Sequence, residues 1–489
     1  MRVKQDRKNR TANSEQRMTD RIYEKVEIVD AGSEGKAIAR IGNMVVFVPF
    51  VVPGDIIDLK VVKKKKSFIE GKVIQFHHYS AKRDKPFCSH FGTCGGCRWQ
   101  NMKYEEQLFY KHKQVVDCFT RIARIENPLI LPVLPSDKTM YYRNKLEYTF
   151  SNRRWLSTED LRSEPQQKDM NALGFHIPLY FDKVLDIDHC YLQQDPSDAI
   201  RLVAKRYAAE NHLSFYDVRN WMGFLRNLII RTSNTGDLMV IFVFRDDEPD
   251  SIRAMLSHMK NRFPEITSLH YVINSKKNDV INDLPVHLFS GETFIREKMT
   301  AFRSSEELIF RIGPVSFFQT NSDQAVRLYR ITGEFARFNG VETVYDLYSG
   351  TGTIANYIAS TVKKVIGIES VGSAVEDAWQ NSRLNGIENT IFFSGDAEKV
   401  LTPEFIHSAG KPEVIITDPP RSGMHGKVVG AILSCAPEKI IYISCNPATQ
   451  ARDIELMKEG YYMEKCQPVD MFPHTQHVEN IALLRRRSD

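Results

Sequence analysis

The sequence lacks a long apolar run. The longest, Met44 to Pro53, is broken by Pro49 and is far too short to cross a bilayer. The N-terminal MRVKQDRKNR carries no hydrophobic stretch of the signal-peptide kind, so a cytoplasmic protein with no membrane partner is expected. Cysteine is scarce, with eight in 489 residues. A reducing compartment makes a disulfide framework an unsuitable reading, which leaves core packing, metal binding or catalysis for these thiols. A strong net charge is also missing, and +5 alone does not argue for a nucleic-acid partner. No internal repeat or low-complexity segment occurs, which excludes a solenoid or a tandem array.

An apolar share of 42% and a charged share of 26% describe a globular chain long enough for two or three domains. The placement of charge says more than its sum. The first twenty-one residues hold seven Lys or Arg against three acids, Lys63 to Lys66 are consecutive, and Arg485 to Arg487 lie near the end. Any one cluster reads equally as a solvated surface. Three together tilt toward RNA or DNA.

Residues 1 to 21 are polar and aperiodic and read as a disordered basic arm. Residues 22 to 80 contain five short β-rich runs punctuated by Gly32, Gly35, Gly42, Pro53, Gly54 and Gly71. That pattern predicts a small closed barrel of OB type, and a lysine run beside Phe68 favours RNA binding over a merely bracing role. Residues 81 to 310 begin with a cysteine-rich loop and an amphipathic helix on which Leu108, Val115, Phe119 and Ile122 recur at helical spacing. Strands such as RNLIIRTS and DLMVIFVFR follow, predicting an α+β central domain. From residue 311 to 489, strands and helices alternate as in a doubly wound, Rossmann-like α/β domain, where ligands bind beyond the carboxyl ends of the strands.

One such end is Asp346-Leu-Tyr348-Ser-Gly350-Thr-Gly352-Thr353-Ile-Ala355. Glycine lets the backbone approach a ligand with no Cβ in the way. Glu369 closes the next strand, where an acid can accept from both hydroxyls of a ribose, and Asp396 ends the third, placed to approach an adenine. Gly350-x-Gly-x-x-Ala355 with an acid nineteen residues on also fits a dinucleotide fingerprint. Asp346, four residues before Gly350, and Asp418-Pro-Pro-Arg421 at the end of the fourth strand favour S-adenosylmethionine. The latter resembles the DPPY-type motif of amino methyltransferases, but Arg421 supplies no ring to stack on a base, which weakens an amine target.

The strand IIYIS delivers Ser444-Cys445-Asn446-Pro447 to the same sheet edge. A strand-end cysteine is by itself more often core than nucleophile. Here Asn-Pro forces a turn that exposes the sulfur, beside the cofactor turn and the Asp-Pro-Pro motif. Pyrimidine C5 is a poor nucleophile until a thiolate adds to C6 and makes the ring an enolate. The C5 proton must then leave, and Glu479 in His477-Val-Glu479-Asn480 is the candidate base, with His474 and His477 behind it. Separately, Cys88-x5-Cys94-Gly-Gly-Cys97 places three thiols in one loop, with Cys190 the first choice for a fourth ligand and Cys118 the second. Spacing alone does not separate zinc from an iron–sulfur cluster.

Together these residues resemble the bacterial RNA uracil-C5-methyltransferase family, in particular the branch acting on 23S ribosomal RNA, over nearly the whole chain after the arm. The resemblance implies a TRAM domain first, then a [4Fe-4S] cluster on Cys88, Cys94, Cys97 and Cys190. It implies a nucleophile at Cys445 in Ser444-Cys-Asn-Pro-Ala-Thr449 and a base at Glu479. Phe317-Phe-Gln319-Thr-Asn321 is similar to the family segment whose glutamine lies between cofactor and base. Cofactor contacts are thereby expected at Gln319, Tyr348, Glu369, Asp396 and Asp418. The helical region near residues 100 to 131 is expected to pack on the catalytic domain. One departure is that Tyr348-Ser-Gly-Thr-Gly-Thr353 lacks the cysteine and asparagine of many members, which leaves a Thr353 side-chain contact in doubt. The transfer-RNA branch shares the catalytic motifs but lacks the cluster and the TRAM domain, so the expectation is a monomer acting on a uridine flipped from ribosomal RNA. The alternatives are a transfer-RNA uridine-C5 methyltransferase, a dinucleotide-dependent oxidoreductase, and a non-catalytic RNA-binding or assembly factor.

Overall fold

A computed structural model describes residues 21–162 and 169–488. The expected basic arm lies outside the described residues except for Arg21. The chain divides into two compact units, Met1–Gln114 with Phe472–Gln476, and Val115–Met471 with His477–Asp489. Among the described residues no helix is long and apolar enough to cross a membrane.

In the first unit, β1 (Ile22–Ala31), β2 (Ala37–Ile41), β3 (Met44–Val48), β4 (Ile56–Lys64) and β5 (Phe68–His78) close into a barrel of order β1-β2-β3-β5-β4. Alternation along each strand turns Ile28, Val46, Val48, Ile57, Leu59 and Ile69 inward to one buried cluster. Closure removes free sheet edges. The buried carboxylate of Asp55 accepts from Val52 N–H at 2.7 Å, Ser80 N–H at 2.9 Å and the Arg83 guanidinium at 2.8 Å, so the chain leaving β5 is fixed to the loop before β4. Lys65 Nζ lies 5.5 Å from the centroid of the Phe68 ring.

The second unit has two seven-stranded sheets. The central one joins β6 (Lys145–Ser151), β7 (Ala172–Ile177), β8 (Tyr180–Asp186), β9 (Leu225–Thr232), β10 (Leu238–Phe244), β11 (Ser268–Ile273) and β12 (Val286–Gly291) in the order β12-β11-β10-β9-β6-β7-β8. Only β10 and β11 run parallel. The hairpin β13 (Ile295–Thr300) and β14 (Glu307–Ile312) follows.

The last sheet contains β15 (Thr343–Leu347), β16 (Lys364–Glu369), β17 (Thr390–Ser394), β18 (Val414–Thr417), β19 (Lys439–Ser444), β20 (Tyr461–Val469) and β21 (Glu479–Arg486), ordered β17-β16-β15-β18-β19-β21-β20. The chain moves outward from β15 to β17 and returns on β15's other side as β18. This makes the carboxyl end of β15 the topological switch point, where such sheets bind ligands. The first five strands are parallel, as the alternating pattern predicts. Of the last two only β21 runs against the others, folding back between β19 and β20.

Val115, Phe119 and Ala123 are buried in one cluster with Tyr345, Leu347, Ile366 and Tyr442 of that sheet. Cys118 packs against the same cluster. Ile122, expected on the apolar face, is exposed because the helix Tyr104–Arg121 has ended before it. The terminal arginines also differ from the expected open cluster. Arg485 pairs with Glu464 at 2.5 Å, Arg486 donates to Ala436 O at 2.9 Å and Arg487 to Lys458 O at 2.9 Å, so their charge is partly spent on holding the sheet edge.

Candidate active site

The site grows from the turn after β15. Gly352 has φ +72°, and a Cβ there would stand 2.8 Å from the Phe392 ring and 2.9 Å from Ala378 Cβ, so only glycine fits. The turn feeds the N-terminus of the helix Thr353–Ile358. Gly350 N–H donates to Glu369 Oε2 at 3.0 Å, while Glu369 Oε1 accepts from Val371 N–H at 2.8 Å and Ser370 Oγ at 3.1 Å. Glu369 therefore ties the ends of β15 and β16 together, and Oε2 retains a lone pair for a ligand hydroxyl.

Beside this turn lies a cavity of about 250 Å³ lined by Tyr348, Ile368, Ser370, Asp396, Glu398 and His425. Two of the expected cofactor residues, Tyr348 and Asp396, thus share one wall system. Asp396 is the N-cap of the short helix Ala397–Val400. His425 Nδ1 lies 2.9 Å from Glu398 Oε2 and Lys427 Nζ 3.5 Å from Glu398 Oε1, which fixes Glu398 at the rim. Sequence reasoning missed Ser370, Glu398 and His425. Ser370 had a signal in following Glu369 directly, whereas the other two meet only through the fold.

Three carboxyls come together beneath the carboxyl edge. Asp346 is 1% exposed, and burial with Asp418 and Glu369 nearby pushes its carboxyl up to about 8. Burial lifts Asp418 to about 7. Glu479 rises to about 8 through burial and the Asp418 carboxylate, against an opposing pull from Arg421. Tyr329, on the helix Ser322–Ala336, is raised by burial and feels all three acids. A cluster of three acids raised by burial, on which the exposed Arg421 exerts only an opposing pull, suits a cationic ligand.

Cys445 follows β19 directly. Asn446 caps the helix Pro447–Met457 by accepting from Ala448 N–H at 3.1 Å, with Pro447 in its first turn. The Asn446 amide also donates to Arg421 O at 3.1 Å, as Thr449 Oγ1 does at 3.3 Å, so the turn carrying Cys445 is laced to the loop after Asp418. Ser444 pairs with Asn480 across antiparallel β19 and β21. Cys445 follows Ser444 and Glu479 precedes Asn480, and the Glu479 charge acts on the Cys445 thiol. Burial first, then Glu479 and Asp418, push the Cys445 thiol up to about 11, and Arg421 pulls it down.

Gln319 is nearly buried ahead of the helix Ser322–Ala336. Its carbonyl accepts from Asn144 Nδ2 at 2.9 Å, and Asn144 N–H donates to Thr320 O at 2.8 Å. Arg231 of β9 grips the same segment through Ser316 O at 2.8 Å and Gly313 O at 3.3 Å. The central sheet therefore positions Gln319. His474, a lesser base candidate, lies in the first unit with its ring 5.0 Å from Phe87 and 3.2 Å from Gln107 Nε2.

Cys88, Cys94 and Cys97 lie in the first unit and Cys190 in the second. Burial raises the Cys88 and Cys94 thiols, and Gly96 N–H points to Cys94 Sγ at 3.4 Å. Cys190 N–H donates to the buried Asp198 at 2.9 Å. Among the described residues, no three His, Cys, Asp or Glu side chains are gathered as they would be around a metal ion.

Comparison with known proteins gives one consistent answer. Residues 236–487 match the family described as tRNA (Uracil-5-)-methyltransferase, and residues 21–74 match the TRAM domain. A Bacteroides thetaiotaomicron RNA methyltransferase is 52% identical over 458 residues, covering 93% of this chain and all of that one. A Porphyromonas gingivalis RNA methyltransferase is 51% identical, covering 95% of this chain and all of its own. Among solved structures, the Pyrococcus abyssi tRNA (uracil-54, C5)-methyltransferase in complex with S-adenosyl-L-homocysteine superposes with a TM-score of 0.72. It is 27% identical and covers 94% of this chain and all of that one.

Proposed function

Because the chain belongs to the tRNA (uracil-5-)-methyltransferase family and is an S-adenosylmethionine-dependent RNA uracil-C5-methyltransferase, we propose that Cys445 is its nucleophile, Glu479 its base and a uridine of 23S ribosomal RNA its target. The observation that supports this reading is the Ser444–Asn480 strand pair, which Cys445 and Glu479 adjoin in sequence, together with the Glu479 charge felt by the Cys445 thiol. S-adenosylmethionine, when bound, supplies an electrophilic methyl group. Tyr348 and Asp396 would hold it in their cavity, with Glu369, Asp418 and Gln319 as further contacts.

The Cys445 thiolate adds to C6 of the flipped uracil, and the ring electrons move to C5 and O4. C5 would then take the methyl group as its bond to the sulfonium sulfur breaks, the electron pair staying on that sulfur as a neutral thioether. Glu479, as carboxylate, removes the C5 proton, and those electrons restore the C5–C6 double bond as the thiolate departs. Glu479 suits this role because burial lifts its carboxyl to about 8, which makes it a stronger base than an ordinary glutamate. Arg421 favours the thiolate, and Cys445 lies two residues before the helix Pro447–Met457.

The ribosomal target is supported by the three-thiol loop, which the resemblance associates with that branch; the barrel does not separate the targets, because the likeness to the Pyrococcus abyssi transfer-RNA enzyme covers 94% of this chain. A second reading, transfer RNA, is supported by the whole-chain likeness to the Pyrococcus abyssi enzyme. Mapping 5-methyluridine in 23S and transfer RNA from a deletion strain separates them: loss from 23S RNA alone is expected, and loss from transfer RNA alone overturns the ribosomal target.

We also assign Cys88, Cys94, Cys97 and Cys190 to a [4Fe-4S] cluster. The assignment rests on thiol spacing and family resemblance. The described geometry does not gather these thiols, and no step of the reaction runs through the cluster.

A further inference from the structure

At the far end of the central sheet, apolar side chains stand in the open with cations against them. Trp221 is 41% exposed and Met222 63%, on the loop entering β9. Lys277 Nζ lies 3.7 Å from the centroid of the Trp221 ring. Arg219 Nε, 2.7 Å from Asp182 Oδ2, ties this loop to β8, on which Tyr180 and Phe181 are also exposed. Asp182 and Asp217 are buried whereas Arg219 and Lys277 are exposed; on the Lys277 loop Asp279 and Asp283 are exposed too and pair with the buried Arg226 and with Lys276.

This surface is built from below. The buried Arg226 donates to the carbonyls of Asn274, Lys276 and Asn278 at 2.6, 2.5 and 3.0 Å, which shapes the loop carrying Lys277. Its guanidinium carbon is 4.4 Å from the centroid of the Tyr216 ring, beside the root of the Trp221 loop. Gly223 has φ +106°, and a Cβ there would stand 2.2 Å from Phe215 O, so the return of that loop is fixed by close backbone contact. A large exposed indole on a fixed loop, with an ammonium on its face, costs solvation and brings no core packing.

Its position relative to the reaction follows from β6. At one end of that strand Asn144 holds the Gln319 segment; at the other, Asn152 N–H donates to Tyr216 O at 3.1 Å and Arg153 Nε lies 3.3 Å from Asp217 Oδ1. Seven residues of strand separate the two ends by about 20–25 Å.

We propose that Trp221 and Lys277 form a stacking platform for a single-stranded stretch of the substrate RNA, away from the reacting uridine, with Tyr180 and Phe181 beside it. An aromatic face accepts any base, and the outward cations match its phosphates. The proposal rests on the chain acting on RNA and is independent of which residue attacks the base.

The test uses the full-length protein, fluorescein-labelled 20-nucleotide oligouridylate and anisotropy at fixed salt. Trp221→Ala should weaken binding at least fivefold, Trp221→Phe should retain most of the affinity, and Lys277→Ala should weaken binding two- to fivefold with a shallower salt dependence. Ultraviolet crosslinking of a 4-thiouridine 20-mer should label the peptide holding Trp221. Unchanged affinity in both Ala variants overturns the proposal. So does equal loss in Trp221→Ala and Trp221→Phe with a lowered melting temperature, which would mark a folding effect. Unchanged RNA affinity with an altered oligomeric mass would overturn it too and give the patch to a protein contact. Because the readout is binding, loss of the Cys445 mechanism would leave this result unaffected.

Discussion

Ser444 and Asn480 pair across antiparallel β19 and β21, with Cys445 following the first and Glu479 preceding the second. That single pair joins two motifs more than thirty residues apart in sequence and brings the Glu479 charge to bear on the Cys445 thiol. It divides the chemistry, since one group must make the covalent bond and the other must release it.

Removing the carboxylate should therefore stall the enzyme after the bond has formed. Glu479→Gln is expected to accumulate a protein–RNA adduct that survives denaturing electrophoresis, with turnover at least a hundredfold lower. Cys445→Ala should give neither adduct nor methyl transfer. An active Glu479→Gln enzyme that leaves no adduct would remove Glu479 from the proton step.

The raised Cys445 thiol gives a pH prediction. Its pKa of about 11 means that the ligand-free protein holds it protonated at neutral pH, so iodoacetamide labelling should climb steeply only in alkali. Placing a cation beside it favours the thiolate. Sinefungin, which carries an amine where the sulfonium stands, should move the labelling curve to lower pH more than S-adenosylhomocysteine does. Arg421→Ala should move it upward. Identical curves with both ligands would show that the cofactor charge does not reach the sulfur.

Buried acids link the site to stability. Asp346, Asp418 and Glu479 have carboxyls raised to about 8, 7 and 8, above the values near 4 of an unfolded chain. The folded state therefore binds more protons, and the contribution present below about pH 4 is lost as pH rises to about 8. Asp346→Asn has no such proton to lose. Its melting temperature should fall less than that of the parent between pH 5 and 8, by differential scanning calorimetry without ligand. Parallel curves would contradict the assignment for Asp346.

Much of the catalytic domain was legible because strand and helix periods alternate from Thr343 to Ser444, and because Gly350, Gly352 and Asp418 mark strand ends. The Ser444–Asn480 pair beside Cys445 and Glu479 was not, since nothing local states that β21 inserts between β19 and β20. Arg485 to Arg487 looked like an open basic cluster, but a run of like charges does not reveal that Glu464 and two carbonyls receive them. Ile122 kept the helical period while the helix itself ended at Arg121. Glu398 and His425 belong to no motif and become cavity wall only when two loops meet.

The turn that shapes the cofactor site tolerates no side chain at Gly352. Gly352→Ala is expected to cost about 2 kcal/mol of stability, from a left-handed φ and a Cβ driven into Phe392 and Ala378. It should also weaken S-adenosylhomocysteine binding at least tenfold by isothermal titration. Wild-type affinity in a stably folded variant would place the cofactor elsewhere.

Iron analysis decides the cluster assignment. Anaerobically purified protein should be brown and hold about four irons and four sulfides per chain, and Cys190→Ser should lower both. One zinc and no iron would refute the assignment while leaving the methyl-transfer chemistry untouched.

The most direct test of the central claim uses RNA in which 5-fluorouridine replaces uridine. Fluorine at C5 cannot leave as a proton does, so the covalent intermediate should persist once the methyl group has transferred. Incubation with S-adenosylmethionine, nuclease digestion and peptide mass spectrometry should yield a methylated fluorouridine nucleotide bonded to Cys445. A stable adduct on any other residue, or methylation of normal RNA by Cys445→Ala, would contradict the account.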